Sequence, residues 1–441
     1  MGEPPAPFHV VVIGAGIIGA AVAVELLADG HQVSIVEPGE PGGEQAASYG
    51  NGCWLSPASV VPMSVPGVLR QVPGYLADPL GPLAIRWTYL PRLLPWLVRY
   101  VRAGGTIAKV EAIARALRPL LADAPLRHQR LAAAASAGDL IERRGLLYVF
   151  PRRADFEADT LAWRLRRENG ISWIELDADE LRQHEPDLDR RYTFGLLVEA
   201  GGHCTDPGGY VAALVRHAVA QGARLHRTRA VGFGLEGRRL CAVRTESADI
   251  VCDRTVIATG AYSRPLAAAA GDRVSLETER GYHAMILGAE AGPRTPLMPS
   301  DGRMSNTMAR AGLRIAGQVE LAGLAANPNW KRAEILRDFA LRIYPKLPRS
   351  IPAEQVRFWM GHRPATPDSL PCIGPASGSP DIIHAFGHGH VGLAAAAATG
   401  RLVADLVGAK PPAINLSPYA PQRFQRSGSQ RAGAAEPFRA A

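Results

Sequence analysis

The chain has 441 residues, of which 47% are hydrophobic and 20% charged, and it carries a net charge of +8. A chain of this length outgrows a single hydrophobic core, so a soluble globular protein of two domains is expected. Its arginines are scattered, with no Lys/Arg block interleaved with aromatics; that argues against nucleic acid and leaves the charge to serve solubility, an acidic substrate, an anionic cofactor or an anionic membrane surface.

Residues 1–7 read as a proline-rich leader. The first element is a strand over Val10, Val11, Val12 and Ile13, which runs into Gly14-Ala15-Gly16-Ile17-Ile18-Gly19 and then an alanine-rich helix. In this G-x-G-x-x-G turn Gly14 permits the tight bend, Gly16 lets phosphate approach bare backbone, and Gly19 lets helix pack close on strand. The helix N-terminal amides then hold the anion. A second strand, 33–36, ends in Glu37, at the spacing expected of a carboxylate accepting ribose hydroxyls. An acidic residue there repels a 2'-phosphate, so FAD or NAD is expected rather than NADP. The apolar run 10–24 has no basic flank before it and is too short to span a bilayer, so it reads as neither signal peptide nor anchor.

The loop 44–57 is full of Gly, Ala, Ser and Asn, yet contains Trp54 and Leu55, odd ornaments for an ordinary surface turn. From 66 to 144 the sequence becomes an inserted, mainly helical segment broken by Pro91, Pro95, Pro119 and Pro125. Within it, residues 85–102 mix Trp87, Tyr89, Leu90, Leu93, Leu94, Trp96 and Leu97 with Arg86, Arg92, Arg99 and Arg102. A helix packed over an active site is expected here, with contact to an anionic membrane as the alternative. A strand follows at 145–150, then a helix at 156–169 ended by Gly170. Asp206 and Pro207 cap a helix over 210–220, stopped by Gly222 ahead of a strand at 224–227.

Residues 240–244 with Ile250 and Val251 read as a hairpin, and 255–258 as a buried strand ending in Thr259-Gly260-Ala261. Strand-like alternation at 277–286 and 313–320 predicts the sheet of a second domain, and 330–343 is helical. The last piece, 382–408, is a strand, a glycine-histidine turn and a long helix. Beyond Tyr419 the tail is rich in Arg, Ser, Gln, Gly and Ala and is expected to be disordered. Cys53, Cys204, Cys241, Cys252 and Cys372 are odd in number, widely spaced and without a C-x-x-C pair, which signals neither a disulfide framework nor a zinc site. A reducing cytoplasm fits, with the inner face of the membrane as the place of any peripheral attachment.

Five separated motifs line up with one family: G-A-G-I-I-G, A-A-S-Y-G-N-G-C-W-L-S-P, V-I-A-T-G-A-Y-S, G-H-R-P-A-T-P-D and G-H-G-H-V-G-L. Over roughly 8–424 the chain resembles the D-amino acid oxidase-like FAD-dependent oxidoreductases. Within them it is most similar to bacterial D-amino acid dehydrogenases, with glycine and sarcosine oxidases as more distant relatives. The resemblance implies a Rossmann-type α/β FAD-binding domain, discontinuous over 8–65, 195–270 and 355–412. It also implies an α+β substrate domain on an antiparallel sheet, over 66–194 and 271–354, with 420–441 as the tail. The flavin would lie at their junction.

Carried over by residue, Gly14, Gly16, Ile17, Ile18 and Gly19 match the phosphate turn and Glu37 the ribose acid. Ser48, Asn51 and Gly52 match the loop beside pyrophosphate and flavin, and Thr259 and Gly260 a strand end touching the cofactor. Gly387, His388, Gly389, His390, Val391, Gly392 and Leu393 introduce a helix, 394–406, whose N-terminus would face the flavin's N1/C2 carbonyl edge and stabilise negative charge on reduced flavin. Arg363 matches the carboxylate-binding arginine, a bidentate partner for a substrate carboxylate, with a surface salt bridge as its bland reading. Tyr282 and His283 lie on the strand that walls the substrate pocket; Tyr282 could add a hydroxyl to the carboxylate, or be a core tyrosine. His388 would shape the pocket. Two histidines two apart in a glycine turn, with no carboxylate or cysteine ligand nearby in sequence, do not read as a metal site, so none is expected.

The implied reaction is oxidative deamination of a D-amino acid. Its carboxylate docks on Arg363, hydride passes from Cα to flavin N5, and the imine hydrolyses to a keto acid or, from a cyclic substrate, stays cyclic. D-proline or hydroxy-D-proline rests on family analogy alone. The electron acceptor is a quinone or other carrier for a dehydrogenase; the alternative is an oxygen-using amine oxidase of the glycine/sarcosine type. An NAD-dependent dehydrogenase and a non-catalytic nucleotide sensor are further alternatives.

Overall fold

The computed structural model describes residues 7–67 and 83–425. Most of the expected leader (1–6), part of the helical segment (68–82) and most of the tail (426–441) lie outside the described residues. Val10, Val11, Val12 and Ile13 are apolar without alternation, the pattern of a parallel strand buried on both faces. They put His9–Ile13 in the middle of a six-stranded sheet ordered Arg224–His226, Gln32–Val36, His9–Ile13, Arg254–Ile257, Ile382–Phe386, Cys372–Pro375. Neighbours are parallel up to Ile382–Phe386, and Cys372–Pro375 closes the edge antiparallel.

Helices Ile17–Ala28, Pro207–Ala220 and Gly392–Val407 bury their apolar residues in one core on one side of this sheet. Gly400 lets two of them touch: a Cβ there would stand 3.0 Å from the backbone of Ala21. The other side is covered by the meander Ala230–Glu236, Arg239–Thr245, Ile250–Val251 and by the short helix Ser263–Ala269. The result is a three-layer Rossmann-type unit. Asp206 accepts from Gly209 N at 2.9 Å and starts the helix Pro207–Ala220 as its side chain dictates.

The second sheet is ordered Val356–Ala365, Glu277–Leu287, Gly312–Leu321, Ser305–Ala309, Leu297–Pro299, Leu146–Phe150, Phe194–Val198, Ile174–Leu176, with Leu83–Ile85 pairing onto Gly312–Leu321. It is mainly antiparallel. Helix Lys331–Ile343 covers one face with Leu336, Phe339, Ala340 and Ile343, and the opposite face looks toward the nucleotide unit.

Two expected boundaries move. Phe194–Val198 and Val356–Ala365 fall in the segments from 195 and 355 that the resemblance gave to the nucleotide unit, yet both pair as strands of the large sheet. The expected single helix at 156–169 is two, Arg153–Glu157 and Thr160–Glu168. At Asp159 the backbone leaves helical geometry (φ −91°, ψ 44°), and Phe156 and Trp163 both turn onto Phe150. The start of the tail is also docked. Pro421–Phe424 forms a 3-10 turn, Arg423 pairs with Asp368 at 2.8 Å, and Phe424 packs against the core. The segment 85–102 supplies the helix Leu90–Ala103, which holds Pro91 in its first turn and tolerates Pro95 on its exposed side.

Candidate active site

Between the two sheets lies a cavity of about 2520 Å³. The glycine turn forms one end. Gly14 has φ +101°, and a Cβ there would sit 2.6 Å from Ala258 O; a Cβ on Gly19 would sit 1.8 Å from Gly14 O. These contacts are to backbone, so the turn can be built only with glycine. The helix Ile17–Ala28 has no side-chain N-cap at Gly16, and Ser48 accepts from Ile17 N at 3.0 Å. Glu37 accepts from Ala15 N at 2.9 Å and Gly39 N at 3.0 Å, which fixes its carboxylate at the end of Gln32–Val36. A cradle that a Cβ would fill, an open helix N-terminus and an anchored carboxylate together fit a dinucleotide.

Of the residues matched to the cofactor, all line the cavity except Gly19, which is consumed in packing helix on strand. The loop holding Ser48, Asn51 and Gly52 is pinned onto the large sheet. Arg314 donates to Tyr49 O and Asn51 O at 3.0 Å, Thr307 to Gly52 O at 3.2 Å, and Trp359 Nε1 to Glu44 O at 2.9 Å. At the far side Gly387 (φ +86°) and Gly389 (φ +50°) turn the chain from Ile382–Phe386 into Gly392–Val407, whose N-terminus also lacks a side-chain cap and faces the cavity.

Arg363 lies on the large sheet facing this space. Its guanidinium donates to Gln318 O at 2.9 Å and Gly317 O at 3.3 Å, both neutral acceptors. Burial pulls its pKa below the ordinary arginine value, and nearby Glu279 opposes that pull. Room for the guanidinium comes from Gly281, where a Cβ would fall 2.1 Å from Arg363 Cζ. Gly281→Ala is therefore expected to leave fold and flavin content intact, because the flexible arginine can swing aside. The displacement of its charge should lower kcat/KM about 100-fold; unchanged steady-state kinetics would refute it.

The other residues expected around the substrate separate into two groups. His388 lines the cavity and is fixed by a 3.0 Å contact of Nε2 with Thr399 Oγ1. Tyr282 and His283 do not line it. Tyr282 points to the opposite face of the sheet, donates to Glu320 at 2.6 Å and accepts from Asn329 N, and burial with the Glu320 bond pushes it up to about 12. Side chains alternate along a strand, and Gly281 beneath Arg363 fixes the parity against Tyr282. His283 is stacked on Trp359 (centroids 5.3 Å) with Nδ1 3.3 Å from Gly50 O, so it braces the loop from behind. Among the described residues no cluster of His, Cys, Asp or Glu could hold a metal.

Sequence reasoning passed over Glu279, Gly281 and Trp359, and it did not pair Tyr89 with Glu277. Nothing local in the polar run Glu277-Thr278-Glu279-Arg280 singles out Glu279; only its strand pairing does. Tyr89 donates to Glu277 at 3.0 and 3.1 Å, and Trp96 to Ala365 O at 3.3 Å; with Leu97 and Tyr100, the helix Leu90–Ala103 and its lead-in wall the cavity beside Arg363.

A family model described as FAD dependent oxidoreductase matches residues 9–406. The chain belongs to this family. FAD is its cofactor, which removes NAD as the alternative. This oxidoreductase is 57% identical over 416 residues to a D-amino-acid oxidase of Bradyrhizobium diazoefficiens, covering 94% of this chain and 99% of the relative. It is 32% identical over 427 residues to D-amino acid dehydrogenase 2 of Ralstonia nicotianae, covering 93% and 99%. Among solved structures, glycine oxidase from Geobacillus kaustophilus shares the fold with TM-score 0.69 at 22% identity, over 95% of this chain and 99% of that one.

Burial drives the imidazoles of His283 and His388 down to about 3 and that of His128 to about 4. A histidine whose folded pKa lies below its unfolded value of about 6.5 contributes stability that is complete above that pH and lost as pH falls toward the folded value. Burial raises Glu185 to about 7, which works in the opposite sense between pH 7 and 4.5. His203 and His362 are likewise held down to about 4 by burial, so the depressed imidazoles outweigh this one carboxyl and stability falls as the pH drops from 6.5 to 5.5. Urea unfolding of the holoenzyme should show the midpoint falling over that window; a flat or rising midpoint contradicts it.

Proposed function

We propose that this oxidoreductase oxidises a D-amino acid to the imine, which leaves and hydrolyses to a keto acid or, from a cyclic substrate, stays cyclic. The observation that carries the reading is Arg363, a half-buried guanidinium bonded to neutral carbonyls and opening onto the same cavity as the dinucleotide cradle. A half-buried cation with no contacting anion is an invitation to a carboxylate. Bound FAD would supply the two-electron acceptor, taking hydride at N5. Arg363 would fix Cα by gripping both carboxylate oxygens, and Leu83, Ile85, Leu321 and Leu324 would keep the side-chain end of the site dry. Apolar walls suit an apolar or cyclic side chain such as that of D-proline. Positioning and electrostatics then carry the catalysis.

The test is anaerobic bleaching of the flavin by a panel of D-amino acids, L-amino acids, glycine and sarcosine. Bleaching by D-amino acids supports the reading, and bleaching only by glycine or sarcosine replaces it with an amine oxidase of that type. The name of the 57% identical relative favours oxygen as acceptor over a quinone. Rapid peroxide formation in air would establish an oxidase, and dye reduction without peroxide a dehydrogenase. A cytoplasmic location is proposed on the five free cysteines. Contact with an anionic membrane surface would use exposed Trp87, Leu94 and Val98 beside Arg92 and Arg99.

A further inference from the structure

Glu279 stands opposite Arg363 in the antiparallel register of Glu277–Leu287 and Val356–Ala365, and both side chains line the cavity. Opposed residues of such a pair hold their Cβ atoms about 5 Å apart on one face. Among the ion pairs of the described residues, none joins them. Arg363 turns over Gly281 toward Gln318 and Gly317, while Glu279 turns to His390, whose Nε2 lies 2.5 Å from Oε2. A positive and a negative group are thus held side by side on one wall without collapsing onto each other. For a ligand that is only a carboxylate this is a poor arrangement, because Glu279 repels what Arg363 attracts. For a zwitterion whose opposite charges are two bonds apart it is complementary at both ends.

Burial opposes ionisation of Glu279, but the charge and hydrogen bond of His390, with Arg363 behind, outweigh it and hold the carboxyl below the ordinary glutamate range. The glutamate is thus an acceptor that cannot donate, suited to an ammonium or amine.

We infer that Glu279, oriented by His390, receives the substrate's α-amine and makes the site select zwitterionic α-amino acids over carboxylates that lack the amine. With Arg363 on the carboxylate and Glu279 on the nitrogen, two substituents of Cα are fixed, and the apolar wall of Leu83, Ile85, Leu321 and Leu324, which takes the side chain, is the third contact needed to tell enantiomers apart. No proton need change place for this role. Glu279 is a specificity-determining, positioning residue, and the inference rests on the proposed oxidation of an amino acid.

The test compares, on holoenzyme, calorimetric affinity for a plain carboxylate matched in side chain to the best D-amino acid with KM for that amino acid. Loss of a charged hydrogen bond in Glu279→Gln should raise KM about 10- to 100-fold, and removal of the repulsion should tighten the plain carboxylate about tenfold. Glu279→Asp should restore the preference in part, and His390→Asn, which keeps the carboxylate, should weaken it less than Glu279→Gln. A structural defect moves both ligands the same way, so parallel changes overturn the inference, as does Glu279→Gln with unaltered selectivity. Failure of every D-amino acid to bleach wild-type flavin is a different result: it overturns the proposed function itself. Should Glu279→Gln not fold, the other two variants and the wild-type affinity ratio decide; a wild type that binds the plain carboxylate as tightly as the zwitterion rejects the role.

Discussion

Arg363→Ala is expected to raise KM for a D-amino acid about 100- to 1,000-fold while flavin stays bound. Truncating one member of a buried charged pair costs about 3–5 kcal/mol, because the partner is left without its counter-charge. Here the partner is the substrate carboxylate, so the penalty falls on binding. The protein's own loss is small: two hydrogen bonds to Gln318 O and Gly317 O, which can turn to water in the enlarged cavity. Flavin content should not change, since the glycine turn and Glu37 lie at the other end of the cavity. Arg363→Lys should recover only part of the affinity, because an ammonium offers a point charge where a planar fork meets both oxygens. Steady-state kinetics with flavin quantified per chain reads both quantities at once. An unaltered KM would take Arg363 out of the site and with it the main support for a carboxylate-bearing substrate.

The contrast between the two ends of the cavity also shows what the sequence could disclose. The cofactor end is local: Gly14, Gly16, Gly19 and Glu37 fall within a strand-turn-helix-strand unit whose geometry is imposed by neighbours in the chain, so spacing alone reveals it. Arg363 was visible as part of a motif. Its setting was not, because Gly281 and Glu279 reach it through pairing of strands some eighty residues apart, and register is invisible until strands are aligned. The same blindness placed Tyr282 and His283 in the site, when one faces Glu320 behind the sheet and the other supports Trp359. Boundaries at 195 and 355 failed for a related reason. The order of motifs along the chain does not say which sheet a strand between them joins. At the C-terminus, one Arg423–Asp368 pair and the packing of Phe424 outweigh a polar composition that by itself predicts no structure.

Gly19→Ala should yield protein that loses its flavin, with stability lowered as well. The added methyl would lie 1.8 Å from Gly14 O and 3.3 Å from a Val12 methyl, so helix Ile17–Ala28 must move off strand His9–Ile13. Overpacking of this kind costs about 1–3 kcal/mol even where neighbours can adjust, and a carbonyl oxygen in the turn has little freedom to do so. The movement displaces the helix N-terminal amides from the phosphate position, and their value depends on being aimed before the ligand arrives. Gly30→Ala separates this steric effect from simple backbone strain. Gly30 has φ +85° but nothing within 4 Å of its added Cβ, so the variant should lose about 1 kcal/mol while keeping stoichiometric flavin. Flavin absorbance per chain after gel filtration, with Tm alongside, distinguishes the two. Were Gly19→Ala to retain its flavin as Gly30→Ala does, close packing of helix on strand would not be what aims the amides, and the cradle would have to owe its affinity to Glu37 and the loop around Ser48 instead.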